Sequence, residues 1–104
     1  MVVKDRRGRR RYIAFEVVCD EPVDPMEFKK AIAGEASRLG VDPPKLIQYE
    51  KGRGIIRCPH TEAKIMIKTL QGIVEIDRKE ARVRTLRTSG TIRTLRERYF
   101  KVDM

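Results

Sequence analysis

The stretch that most constrains the fold of this 104-residue chain runs from residue 81 to residue 100. Its first residues alternate arginine with smaller side chains, as a strand does, and Ser89-Gly90-Thr91 then predicts a turn from strand to helix. Leu95 and Tyr99 continue the pattern at helical spacing. The stretch contains a single acid and six arginines, a density that indicates a polyanionic ligand. The arginines are Arg82, Arg84, Arg87, Arg93, Arg96 and Arg98.

The charge of the whole chain supports the same interpretation. Lysine and arginine number 24 against 15 acids, which gives a net charge of +9 and a pI near 10.0, and charged residues make up 38% of the sequence. A basic excess of this size indicates nucleic acid as the partner. A solvated ion-pair surface, of the kind that heat-adapted proteins carry, would explain the density of charge but not the excess of one sign.

The length of the chain predicts one domain with a single core. Residues 1–10 are basic and cannot bury apolar surface, so we expect a mobile arm followed by one α+β domain over residues 11–104. No apolar run approaches the roughly 18 residues of a membrane span, and no secretory signal is recognisable, which predicts a soluble cytoplasmic protein without a membrane partner. Cys19 and Cys58 lack metal-ligand spacing and are expected in the core.

Periodicity and turn residues predict a βαββαβ order followed by a last helix. The first helix is expected to start at a capping box made by Asp24 and Glu27 and to end at Gly40. The second is expected to start with Thr61 as its cap, and residues 73–80 are expected to form a polar connection. Strands are expected at 11–18, 46–50, 54–58 and 82–86.

This order is that of an α+β, ferredoxin-like (RRM-like) fold, in which an antiparallel four-stranded sheet packs one face on two helices. The additional C-terminal helix can cover part of the other face, with its apolar stripe docked on Leu86 and Tyr12. The first and third strands are antiparallel neighbours in this topology. Cys19 and Cys58 should therefore lie at opposite ends of the sheet, too far apart for a disulfide.

Several functions of this fold can be compared with the residues. Domains that read single-stranded RNA stack bases on sheet aromatics, but Ile55 and Ile56 stand where those rings would be needed, so we expect phosphate contacts instead. Acylphosphatases share the strand order and need an asparagine, of which this sequence has none. Scattered acids and a single histidine, His60, disfavour metal-assisted cleavage by the protein alone. A ribosomal or other ribonucleoprotein assembly protein stays open as an alternative.

Three motifs, in order along the chain, carry a resemblance to a known family. They are Arg11-Tyr12-Ile13-Ala14-Phe15-Glu16, Gly54-Ile55-Ile56-Arg57 and Ser89-Gly90-Thr91-Ile92. On these residues the chain resembles, almost from end to end, the archaeal ribonuclease P protein component 2 family, the Pop-five type of subunit. The resemblance implies a protein subunit of the endoribonuclease that removes the 5′ leader from precursor tRNA, in which the RNA subunit performs the chemistry.

The resemblance also implies partners. They are the ribonuclease P RNA, the precursor tRNA indirectly, the barrel-shaped ribonuclease P protein component 3, and a second copy of the chain in a homodimer within a heterotetramer. No cofactor is expected on the protein itself, whereas Mg²⁺ is expected for the RNA catalyst.

The candidate RNA-binding site combines basic side chains with the turn before the last helix. A helix start offers free N–H groups that can hold a phosphate, and Arg84, Arg87 and Arg93 are expected to surround it. The alternative for Ser89 is a cap of that helix. The candidate residues are Arg10, Arg11, Lys51, Arg53, Arg57, Arg82, Arg84, Arg87, Ser89, Gly90, Thr91 and Arg93.

Overall fold

The computed structural model describes residues 9–100. Residues 1–8 of the expected basic arm, and residues 101–104, lie outside this described part. The elements in chain order are β1 (Arg10–Cys19), α1 (Pro25–Leu39), β2 (Lys45–Glu50), β3 (Arg53–Pro59), a 3₁₀ turn (His60–Glu62), α2 (Ala63–Gln71), β4 (Glu75–Ile76), β5 (Lys79–Ser89) and α3 (Ile92–Tyr99).

The ends of α1 follow the sequence signals, whereas the start of α2 does not. The Asp24 carboxylate accepts a hydrogen bond from the Glu27 amide at 2.9 Å, and the Glu27 carboxylate accepts one from the Asp24 amide at 3.2 Å. Gly40 ends α1 with a left-handed φ of 77°. Thr61 lies inside the 3₁₀ turn, and Glu62 precedes α2 without a side-chain capping bond. The predicted Thr61 cap is therefore wrong, because the 3₁₀ turn is inserted before the helix.

The sheet contains five antiparallel strands in the order β2-β3-β1-β5-β4. The α+β ferredoxin-like fold with a C-terminal helix is confirmed, with β4 added to the four predicted strands. Residues 73–80 are therefore not only a polar connection: Ile73 and Ile76 are buried, and Asp77 and Arg78 make the β4–β5 turn with φ of 52° and 69°. A strand of two residues is too short to show an alternation that a sequence pattern could reveal.

The main core lies between the sheet and the pair α1 and α2. Ile13 and Phe15 of β1 are fully buried there, and the Phe15 ring stacks on the Phe28 ring of α1 with centroids 4.5 Å apart. Met66 and Leu70 of α2 are fully buried in the same cluster. The predicted alternation of β1 is confirmed, since Ile13, Phe15 and Val17 face this core.

α3 covers the middle of the other sheet face. Leu95 is fully buried against Ala14 of β1 and Ile55 of β3, and the side chains packed around them include Tyr12 and Leu86. The predicted docking of the C-terminal helix is therefore confirmed. The other partly buried members of this cluster are Ile47, Ile92, Tyr99 and Phe100.

Two β-bulges enlarge the surface on which α3 lies. In the β1–β5 ladder the register shifts between Ala14 and Phe15, which leaves Leu86 as an extra residue of β5. In the β2–β3 ladder a similar shift leaves Ile47 as an extra residue of β2. Both extra side chains pack in the cluster under α3, so each bulge adds one apolar contact to the helix.

The two cysteines are free and lie at opposite ends of the sheet, as the topology predicts. Cys19 pairs with Ala81 near the end of β1, whereas Cys58 pairs with Arg11 near its start. Cys58 is buried in the main core, and Cys19 is only partly buried at the edge of that core.

We expect a thiol reagent at pH 8 to label Cys19 quickly and Cys58 slowly. Burial raises the pKa of the Cys58 thiol to about 11, and the Glu62 carboxylate adds to the shift. At pH 8 only about one Cys58 side chain in a thousand is then a thiolate, and that fraction rises as the pH approaches 11. Labelling kinetics of Cys19→Ser and Cys58→Ser measure each thiol alone. Rapid labelling of Cys19→Ser at pH 8 would contradict the burial of Cys58.

Candidate nucleic-acid interface

Three rows of residues run across β2, β3, β1 and β5 on the sheet face that carries α3. Residues of one row lie directly opposite one another on neighbouring strands, so their side chains share a face. The middle row is apolar at its centre, where Ala14 and Ile55 lie under Leu95 of α3, and its ends are Gln48 of β2 and Arg87 of β5. The two outer rows are polar and charged, and they contain four of the twelve sequence-predicted site residues: Arg53, Arg57, Arg84 and Ser89.

One outer row, named here the ion-pair row, alternates in charge. Its members from β2, β3, β1 and β5 are Glu50, Arg53, Glu16 and Arg84. One Glu16 carboxylate oxygen lies 3.9 Å from Arg53 Nε, and the other lies 3.6 Å from Arg84 Nη1. Opposite charges in facing positions stabilise neighbouring strands. Both arginines of this row thus share a carboxylate, and the two positive and two negative groups cancel.

The other outer row contains no acid. Its members from β2, β3, β1 and β5 are Lys45, Arg57, Tyr12 and Ser89. Arg10 lies next to it on the same face at the start of β1. Arg11 starts from the opposite face, where it is paired with Cys58, and its guanidinium reaches the turn at Gly90. We name Arg10, Arg11, Lys45 and Arg57 the basic end. The ion pairs found among residues 9–100 involve none of these four side chains. The basic end therefore carries four positive charges without a bonded carboxylate in the described part of the chain.

A cleft of about 570 Å³ opens at the basic end. Arg10, Lys45 and Arg57 contribute to its walls, together with His60 and one carboxylate, Glu62. Basic side chains thus outnumber the single carboxylate on this concave surface, which is an arrangement that attracts an anion.

The turn between β5 and α3 borders the same end of the sheet. Ser89 Oγ accepts a hydrogen bond from the Thr91 amide at 3.1 Å, which is a local turn contact. Thr91 is itself the N-cap position of α3, and no side chain caps the helix, so the alternative in which Ser89 caps α3 is wrong. A Cβ atom at Gly90 would lie 3.1 Å from Arg11 Nη1. Glycine at this position lets the Arg11 guanidinium lie against the turn.

The structure separates the predicted site residues into two main groups. One group lies at the basic end or borders it, and its members are Arg10, Arg11, Arg57, Ser89, Gly90 and Thr91. Arg53 and Arg84 lie in the ion-pair row, four β1 positions away, which is about 13 Å along the strand. Arg84 therefore contacts Glu16 and does not surround the turn at Ser89.

The remaining predicted residues lie outside both groups. Arg82 and Arg87 are exposed on β5, opposite Val18 and Ala14. Arg93 is exposed on α3, and its Nε donates a hydrogen bond to Glu97 Oε2 at 3.2 Å. Lys51 occupies the β2–β3 turn in a left-handed conformation with φ of 48°.

Sequence reasoning missed Lys45. The residue follows two prolines and precedes the apolar residues of β2, so no local pattern connects it with the arginines. Its position becomes informative only through strand pairing, which places Lys45 directly opposite Arg57. Knowledge of the β2–β3 register would have been enough to find it.

The described part of the chain offers neither a metal site nor a membrane span. Residues 9–100 contain no group of three or more His, Cys, Asp and Glu side chains that could hold a metal ion. No helix within this range is long and apolar enough to cross a membrane.

Fold and surface together define the class of this molecule: a small basic α+β protein with a ferredoxin-like sheet and a C-terminal helix on its second face. A model of the Rpp14/Pop5 family matches residues 11–100, and the chain belongs to this family. The family resemblance predicted from three sequence motifs is thereby confirmed.

Relatives of similar length align with this sequence over most of the chain. Ribonuclease P protein component 2 of Methanosarcina mazei is 31% identical over 101 residues, which cover 91% of this chain and 87% of that protein. The protein of the same name from Thermococcus gammatolerans is 35% identical, with coverage of 89% and 84%. A chain in the cryo-EM structure of yeast ribonuclease MRP has a TM-score of 0.68 at 13% identity, over 81% of this chain and 76% of that chain. The last likeness shows a shared fold.

Proposed function

We propose that this chain is a protein subunit of ribonuclease P. It binds the ribonuclease P RNA through basic side chains and supports the RNA-catalysed removal of the 5′ leader from precursor tRNA. The observation that carries the proposal is membership of the Rpp14/Pop5 family over residues 11–100, together with relatives named ribonuclease P protein component 2. The net charge of +9 and the basic end, whose four basic side chains form no ion pair within residues 9–100, support contact with an RNA backbone.

The proposal extends to the other components of the enzyme. The sequence resemblance supports a barrel-shaped protein partner, ribonuclease P protein component 3, and a homodimer of this chain within a heterotetramer. The catalytic Mg²⁺ is assigned to the RNA, and the holoenzyme to the cytoplasm. In this assembly the protein supplies fixed positive charge beside RNA phosphates, which lowers the amount of Mg²⁺ that the RNA needs to stay folded.

Reconstituted cleavage of precursor tRNA tests this function. At an Mg²⁺ concentration at which the RNA alone is slow, this chain and component 3 together are expected to raise the cleavage rate. Omission of this chain should lower the rate again, and the two proteins without RNA should cleave nothing.

Two outcomes would overturn the proposal. One is cleavage by the pure chain in the absence of RNA, which would make it a nuclease. The other is an unchanged rate when a folded chain is added to RNA and component 3. If that chain instead binds ribosomal or another structured RNA more tightly than ribonuclease P RNA, a ribonucleoprotein assembly role replaces the present one.

A further inference from the structure

We infer that RNA phosphates bind at the basic end, and that the ion-pair row on the same face stabilises the sheet instead of binding RNA. This inference rests on the proposed function and names the surface that performs it. It also divides arginines that look equivalent in the sequence, since Arg57 belongs to the binding surface whereas Arg53 and Arg84 do not.

The first argument is the direct pairing of Lys45 with Arg57. The two residues are register partners in the β2–β3 ladder, so their side chains leave the same face at the separation of neighbouring strands. Like charges in directly opposite positions destabilise a sheet. Folding alone therefore gives no reason for this pair, whereas an anion between the two side chains would turn repulsion into attraction.

The second argument is the contrast with the ion-pair row. That row crosses the same four strands and contains two arginines, yet Glu16 lies within 4 Å of both Arg53 and Arg84. A phosphate would have to displace Glu16 or bear its repulsion, because the carboxylate lies between the two guanidinium groups. No comparable carboxylate contacts Lys45, Arg57, Arg10 or Arg11 among residues 9–100.

The third argument is the shape and extent of the basic end. Arg10, Lys45 and Arg57 share a cleft of about 570 Å³, and Arg11 continues the positive surface to Gly90 on the other side of Tyr12. The charges thus extend across the sheet from β2 to the turn after β5, which suits a chain of successive phosphates better than a single small anion. The occupant that fits is the backbone of structured RNA.

Charge-matched double variants of the full chain test this assignment. Lys45→Gln with Arg57→Gln removes two charges from the basic end, and Arg53→Gln with Arg84→Gln removes two from the ion-pair row. Lys29→Gln with Lys30→Gln removes two exposed charges from α1, which packs on the other sheet face, and serves as the matched control. All three double variants lower the net charge from +9 by the same amount, so differences in RNA binding between them reflect the positions of the removed charges.

The measurement is the salt dependence of binding to ribonuclease P RNA. The Lys45 and Arg57 variant is expected to bind at least ~10-fold more weakly at about 0.1 M salt and to lose roughly one to two units of salt slope. The Arg53 and Arg84 variant should keep the slope of the control. Melting curves should show the opposite order: the ion-pair row variant melts lower, whereas loss of the like-charge pair leaves the melting temperature unchanged or higher.

Arg10→Gln with Arg11→Gln provides a second test of the same surface. It should weaken binding as the Lys45 and Arg57 variant does, which keeps the inference testable if either variant folds poorly. If the variants of the basic end and of the ion-pair row lost equal RNA affinity, or the ion-pair row variant lost more, the inference would be overturned while the proposed function stayed intact. Failure of the wild-type chain to bind the RNA would instead overturn the proposed function. Normal RNA binding with lost assembly onto component 3 would assign the basic end to an acidic protein surface and refute the RNA assignment.

Discussion

Replacement of Leu95 by alanine is expected to lower the free energy of unfolding by about 2–4 kcal/mol. Leu95 has no exposed surface, and it fills the space between α3 and the middle row of the sheet, where it contacts Ala14 and Ile55. The backbone of α3 cannot collapse far enough to fill the cavity, because its neighbours on the helix also rest on the sheet. Urea unfolding followed by circular dichroism measures the loss.

Thr94→Ala is the matched control for this prediction. Thr94 precedes Leu95 on the same helix but is exposed, so its truncation should change the stability by no more than about 0.5 kcal/mol. Truncation of the chain after Gly90 should cost more than Leu95→Ala, because it removes the whole apolar face of α3. An unchanged melting curve after that truncation would show that α3 belongs to an interface with a partner and not to the core.

Gly54→Ala is expected to destabilise the protein by about 3 kcal/mol through overpacking. A Cβ atom at Gly54 would lie 2.5 Å from Phe15 Cζ and 2.8 Å from the Gln48 carbonyl oxygen. The backbone oxygen cannot move without breaking the β2–β3 ladder, and the Phe15 ring is held by its stacking on Phe28. Thermal and urea unfolding should therefore show a large loss of stability for the addition of a single methyl group.

Two further variants identify the cause of that loss. Gly34→Ala adds the same methyl group inside α1, where it would contact nothing beyond the backbone of its own helix, and should stabilise the protein by up to about 1 kcal/mol through helix propensity. Phe15→Leu combined with Gly54→Ala removes the ring and should recover part of the loss relative to the sum of the single variants. Wild-type stability of Gly54→Ala would refute the close contact with Phe15.

The parts of the fold that could be predicted are those that a local pattern specifies. The capping box before α1, Gly40 after it and the apolar stripe of α3 each leave a signature within one or two turns of chain, and the structure has each of them. β4 left no such signature, because two residues cannot show a period. The two bulges could not be predicted either, since alternation along β5 and β2 gives no sign of an extra residue until the partner strand is known.

The candidate site was predictable in composition but not in arrangement. An excess of arginine and a turn before a helix are visible in the sequence, and most of the residues that they indicate lie on the sheet face that carries α3 or at the turn before it. Whether a given arginine is held by a carboxylate depends on its partners across the sheet: Arg84 meets Glu16, whereas Arg57 meets Lys45. These pairs are distant in sequence and adjacent only through the register, which residue spacing does not specify.

The bulge at Leu86 makes β5 tolerant of a deletion but not of an insertion. Loss of Leu86 would leave Thr85 opposite Phe15 and Arg87 opposite Ala14, so a regular ladder would close and every other side chain would keep its face. An added residue at the same point would set three residues of β5 against one of β1, or else reverse the faces of all that follow. In the second case Arg87 would turn toward Ile13 and the interior. Length changes in this strand are thus permitted in one direction only.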